Sequence, residues 1–155
     1  MSPTLEFSFR IAITVDAPTI VSSDPTRGKR QLIPILGGEV SGALEGHVLP
    51  GGVDSQFIQP DGLCRLSARY ALATKDGTVY IENNGIRRLP SAFTANLFGD
   101  DMGFFKHVPV EDIYFKATPT FEVDDARLHW LTESVFICDA KRTPDTVNLD
   151  MYRVL

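Results

Sequence analysis

Asp54 follows a Gly51-Gly52-Val53 corner. If that bend aims the carboxylate into a closed interior, burial disfavours its charged form and brings its pKa toward the range of a general acid or base. In an open turn the same aspartate would bond its own backbone. Tyr70 and Asn83 place polar tips on an otherwise aliphatic wall, which suits orientation of a ligand carbonyl or hydroxyl. The alternative is a core tyrosine whose hydroxyl is satisfied by that asparagine. Arg69 and Glu82 share the opposite face of the same segment. Facing a lumen, they would hold an anionic substrate and move a proton; facing solvent, they form an ion pair of little weight. Trp130 offers either a stacking surface at a cavity rim or an indole for the core. Arg87, just beyond Gly85, is an anion-binding candidate or a solvated loop arginine.

Other chemistries find little support. His47, His107 and His129 are far apart and show none of the short ligand spacings of zinc sites, so no metal is expected. Cys64 and Cys138 sit in apolar runs without metal or redox spacing and read as small buried hydrophobes. There is no Gly-x-Ser-x-Gly elbow, phosphate-cradling loop or dinucleotide fingerprint, and no cofactor is expected.

The elements that must position these residues are strands. Leu5 to Val15 alternates apolar and polar residues, the period of a half-buried strand. A loop around Pro18 to Gly28 precedes a second extended run, Gln31 to Leu36, which Pro34 marks as an edge or bulged strand. Between Gly37 and Gly52 lie six glycines and one proline, counting both ends, a density that excludes a helix and suits the corners of a small barrel. Leu63 to Asn84 reads as a hairpin about Asp76-Gly77. That turn sets Tyr70 opposite Asn83, with Leu66, Ala68, Tyr70, Leu72, Val79 and Ile81 on one face and Ser67, Arg69, Tyr80 and Glu82 on the other.

Leu89 to Phe105, apolar but broken by Pro90, Gly99 and Gly103, is either a cover over a barrel mouth or an ordinary connector. Further strands are expected at Asp112 to Thr118, Thr120 to Val123, Leu128 to Cys138 and Leu149 to Val154, with a break at Thr143-Pro144-Asp145. The expected fold is all-β: one antiparallel barrel of about eight to ten strands with a central cavity, residues 1–155 forming one domain.

Composition agrees with an ordinary globular chain. Its 155 residues are 43% hydrophobic and 23% charged. The formal charge of −5 disfavours nucleic acid, the run Arg27-Gly28-Lys29-Arg30 reading as a solvated loop. No stretch approaches the ~20 apolar residues of a membrane span, and with no signal-peptide pattern the expected location is cytoplasmic.

The run Gly37-Gly38-Glu39, Gly42, Gly46-His47-Val48-Leu49-Pro50-Gly51-Gly52-Val53-Asp54, followed by Asp61-Gly62, Ala68-Arg69-Tyr70, Asp76-Gly77, Asn84-Gly85, Tyr114-Phe115 and Trp130-Leu131, resembles the family catalogued as domain of unknown function 3237. The resemblance covers about Leu5 to Tyr152. It implies a compact antiparallel barrel, often a homo-oligomer, and little about activity. The chain departs from the family pattern at Ser55, Lys116 and Thr132, where an aromatic, an arginine and an asparagine are expected.

The functional expectation is a small-molecule-binding barrel acting as a cofactor-independent acid/base enzyme, an isomerase, dehydratase or cyclase, on an enolisable or carbonyl-containing metabolite. Asp54 is its catalytic residue, with Arg69, Tyr70, Glu82, Asn83 and Trp130 toward the substrate. The alternative is a non-catalytic carrier or sensor of a hydrophobic small molecule.

Overall fold

Alternation fixes which side chains face inward, and the computed structural model shows the result over residues 1–143 and 146–155. Pro144 and Asp145, part of the expected break before the last strand, lie outside the described residues. Ten strands form: β1 Leu5–Val15, β2 Thr19–Asp24, β3 Gly28–Gly42, β4 Gly46–Val48, β5 Gly52–Ile58, β6 Cys64–Thr74, β7 Gly77–Arg88, β8 Tyr114–Val123, β9 Phe136–Arg142 and β10 Thr146–Val154.

Following the pairings β1-β10-β9-β8-β7-β6-β5-β3 and back to β1 closes an eight-stranded antiparallel barrel, with β2 and β4 outside that circuit. Closure removes free edges, and eight strands enclose an interior that side chains nearly fill. The long strands β3 and β6 share one slot between two partners: β5 spans its first part, and β4 the second.

Pro34 sits inside β3, where its ladder changes hands. Below it β3 pairs with β2 and above it with β1, and its carbonyl accepts the Asp16 N–H at 3.0 Å. The missing donor therefore falls at a change of partner, and the bulge of this strand lies two residues on, between Ile35 and Gly37. Gly38 follows with a positive φ of 149°, and a Cβ there would lie 2.1 Å from the Ala12 carbonyl oxygen. Only glycine lets β1 approach β3 so closely.

Several expectations need correction, among them the loop expected from Pro18 to Gly28, most of which is strand β2. The hairpin turn is Lys75-Asp76, with Thr74 opposite Gly77, so Tyr70 pairs with Ile81 and Asn83 with Ala68. Shifting the turn by one residue moves the pairing by two, and both residues stay on the inner face. Leu128 to Leu131 is not strand but the end of a 3-10 turn, Ala126–Leu131. Asp125 caps it by accepting the Arg127 N–H at 2.8 Å, and Leu128 and Leu131, three residues apart, are both buried. Finally, β8 runs through Pro119 as one strand; β9 pairs with it only at Lys116 and Ala117, leaving one side free where the proline stands.

The two barrel ends are closed differently. At one, the Ala126–Leu131 turn packs Leu128, Leu131 and Trp130 onto Phe9, Phe121 and Phe136. At the other, short turns from Ser91 to Asp112 build a second cluster in which Leu97, Phe104 and Val108 cover Ile58 and Cys64. Lys29, expected in a solvated run, is instead buried in β3 and donates to the Leu97 carbonyl at 2.9 Å, tying this cover to the barrel. No described helix is long and apolar enough to cross a membrane.

Candidate functional site

Polar residues enter the barrel at the covered end, each on the inward phase of its strand. On β5, Asp54 and Gln56 alternate with the outward Val53 and Ser55; on β3, Gln31 precedes Ile33; on β7, Asn83 leads through Gly85 to Arg87; on β9, Arg142 follows Cys138 and Ala140. With Ile13, Val15, Ile35 and Leu149, Asp54, Gln56, Asn83, Arg87 and Arg142 surround a cavity of about 40 Å³, and Gln31 faces the larger space beside it. An outer chamber of about 210 Å³ shares Ile33, Arg87 and Arg142 with it and is walled by Met102, Phe105 and Val108 of the cover and by Pro18 before β2. The Leu89 to Phe105 region thus does form a wall of the mouth. The inner space has room for a few water-sized groups, and the outer one for the body of a small metabolite.

Asp54 lies at the inner end. Its Oδ2 accepts the Gln56 side-chain N–H at 2.8 Å, while Oδ1 is buried without a partner. Gln56 Oε1 in turn accepts Gln31 at 2.8 Å and Arg87 at 3.4 Å. Burial raises the Asp54 pKa above the usual carboxylate value, against the opposing pull of the Gln56 hydrogen bond and of the positive charges on Arg87 and Arg142. Burial, with the repulsion from Arg87, lowers the pKa of Arg142. Arg87 is 2% exposed, its Nε lacks a partner, and its guanidinium lies 5.3 Å from the Phe105 ring and 5.7 Å from that of Phe115.

Asn83 lines this cavity with its Oδ1 unpartnered. Tyr70 is buried alongside, its hydroxyl unpartnered and its pKa driven well up by burial and by the neighbouring Cys138 and Asp54. A Cβ on Gly52 would stand 2.5 Å from Tyr70 Cβ, so the glycine before Val53 and Asp54 is required for β5 to lie against that tyrosine. The described hydrogen bonds join Asp54 to Gln56, not to Tyr70 or Asn83.

The structure does not bring the remaining candidates to the site. Arg69 and Glu82 are directly opposite each other and face outward, forming an exposed ion pair at 3.3 Å. Trp130 packs edge-on to Phe9 at the plugged end, away from the Asp54 cavity. The three positions departing from the family pattern also lie outside: Ser55 accepts from Arg30, Lys116 pairs with Asp139, and Thr132 bonds the His129 carbonyl. Gln31, Gln56 and Arg142 were not singled out from the sequence, and Arg87 only as an anion-binding candidate or a solvated loop arginine. Their signal is strand phase, since Arg87 stands four residues beyond Asn83 and Gln56 two beyond Asp54. Both cysteines are free and buried, with Cys138 pushed up to about 12. Among the described residues, no group of three or more His, Cys, Asp or Glu side chains converges as a metal site.

With this geometry in view, the model for the family described as "Protein of unknown function (DUF3237)" matches residues 3–154. The chain belongs to that family. A UPF0311 protein of Clostridium acetobutylicum is 44% identical over 148 residues, covering 94% of this chain and 90% of that protein. A crystal structure of a protein of unknown function from the same organism superposes with a TM-score of 0.91 at 41% identity, over 100% of this chain and 99% of the other. At 17% identity and a TM-score of 0.72, a crystal structure described as an enzyme from Penicillium herquei shares the fold over 100% of this chain and 96% of its own.

Proposed function

We propose that this DUF3237 member is a cofactor-independent acid/base enzyme, an isomerase, dehydratase or cyclase, acting on an enolisable or carbonyl-containing metabolite. The observation carrying this reading is Asp54: a buried carboxylate lining the inner cavity, its pKa raised, one oxygen held by Gln56 and the other without a partner. In its ionised form Asp54 takes a proton from the carbon beside the substrate carbonyl. The electron pair moves into a carbon–carbon double bond and the carbonyl oxygen becomes an enolate oxygen, facing the positive Arg87 and Arg142. Protonated Asp54 then returns the proton to a different atom, giving an isomer, or to a leaving hydroxyl, giving water and the dehydrated product. The site needs no external electron donor for these steps. Asn83 and Tyr70 orient the substrate oxygen or shape the floor beneath it.

A carrier role draws on the aliphatic lining of the same cavity. The two readings part on Asp54. Carbonyl compounds incubated with the protein in deuterium oxide should exchange α-protons, followed by NMR, and Asp54→Asn should slow that exchange by about 100-fold or more. Exchange no faster than with heat-inactivated protein, or an unaffected Asp54→Asn, sinks the enzyme reading and leaves the carrier.

A further inference from the structure

We propose that the substrate is a small organic carboxylate with an apolar body, its carboxylate held between Arg87 and Arg142; this names the substrate class of the acid/base site and rests on that reading for turnover, though not for binding. The first support is charge. Around the inner cavity two guanidiniums, Arg87 and Arg142, face one carboxylate, Asp54, and Lys106 adds a further positive charge at the outer chamber. Among the described residues lining both spaces there is no second carboxylate. An uncompensated charge in a poorly solvated site is costly, and one bound anion would balance it.

The second support is donor geometry. Arg87 is almost fully buried, yet its hydrogen bond to Gln56 is long at 3.4 Å and its Nε–H is unused. Its guanidinium carbon lies over the Phe105 and Phe115 rings, at 5.3 and 5.7 Å, and the unused Nε–H belongs to an edge of N–H donors. That edge matches a carboxylate. Arg142 lies 5.9 Å from the same Phe105 ring and lines both chambers, at the threshold an entering acid must pass. A phosphate dianion fits less well, because it demands more donors than this edge provides.

The third is the wall. Beyond the arginines, Met102, Val108, Val110 and Ile113 give the outer chamber an apolar surface for the rest of the molecule.

Calorimetric titration with benzoate and hexanoate, each against its neutral amide, tests the proposal without knowledge of the reaction. At least one acid should bind about tenfold or more tightly than its amide, and Arg142→Gln, checked for an unchanged fold by thermal melting, should erase that preference while leaving amide binding alone. Asp54→Asn should retain or strengthen acid binding, since it removes a buried negative charge. Acids that bind no better than their amides, or a preference that survives Arg142→Gln, overturn the carboxylate site. If Asp54→Asn keeps the acid preference and proton exchange is also unaffected, the carboxylate site stands and the catalytic reading falls.

Discussion

At the scale of single residues, the balance at Asp54 has a thermodynamic consequence. A carboxyl group whose native pKa lies above its unfolded value holds its proton more tightly when folded, so ionising it opposes folding. Well below pH 4, in the range where an unfolded aspartate is protonated, both states carry the proton and Asp54 contributes nothing. As the pH rises from the unfolded pKa through the raised native one, the wild type loses stability, and above that window the loss is constant. Asparagine does not titrate. The stability of Asp54→Asn relative to wild type, from urea unfolding at several pH values, should therefore rise with pH across the window and then level off. A difference that falls with pH would mean that Arg87 and Arg142 outweigh burial and that Asp54 is a low-pKa structural ion.

Strands and turns set a second kind of constraint. The glycine-rich stretch builds corners by close approach, and Gly38 tests this, because a methyl group there meets the Ala12 backbone. Gly38→Ala should cost about 1–3 kcal/mol, seen as a lower melting temperature, with the acid preference retained since the corner does not line the cavity. Unchanged melting would show that the β1–β3 contact can relax. How much was legible beforehand follows the same local logic. Alternation from Leu5 to Val15 is strong and β1 forms over that range, whereas Leu128 to Leu131 looks apolar enough for a strand and instead buries two leucines at helical spacing behind the Asp125 cap. Asp54 was legible because glycines flag its corner. Arg142 was not, and Arg87 only as one of two readings, because a charged residue at an inward strand position looks like a loop residue until closure brings several strand ends together. Arg69 and Glu82 misled for the converse reason: a complementary pair on one strand face does not reveal whether that face is inside.

For the whole molecule, the two ends of the barrel have separate tasks. The plugged end packs Leu128, Leu131 and Trp130 against the core, and Leu131 there is 1% exposed. Leu131→Ala should cost about 2–5 kcal/mol through the cavity it leaves, which for a chain of this size lowers the melting temperature by roughly 4–20 °C. It should leave the affinity for benzoate or hexanoate unchanged, because nothing at that end reaches the arginines. The covered end is the reverse. Val108 packs in the second cluster and also faces the outer chamber, so Val108→Ala should cost only about 1–2 kcal/mol by its lost methyl groups while weakening acid and amide alike. The contrast between a variant that melts early yet binds normally and one that melts near normally yet binds poorly is what a rigid plug and a ligand-contacting cover require. Parallel loss of melting temperature and affinity in both variants would instead mean that the barrel responds as one unit and that the cover plays no separate part in binding.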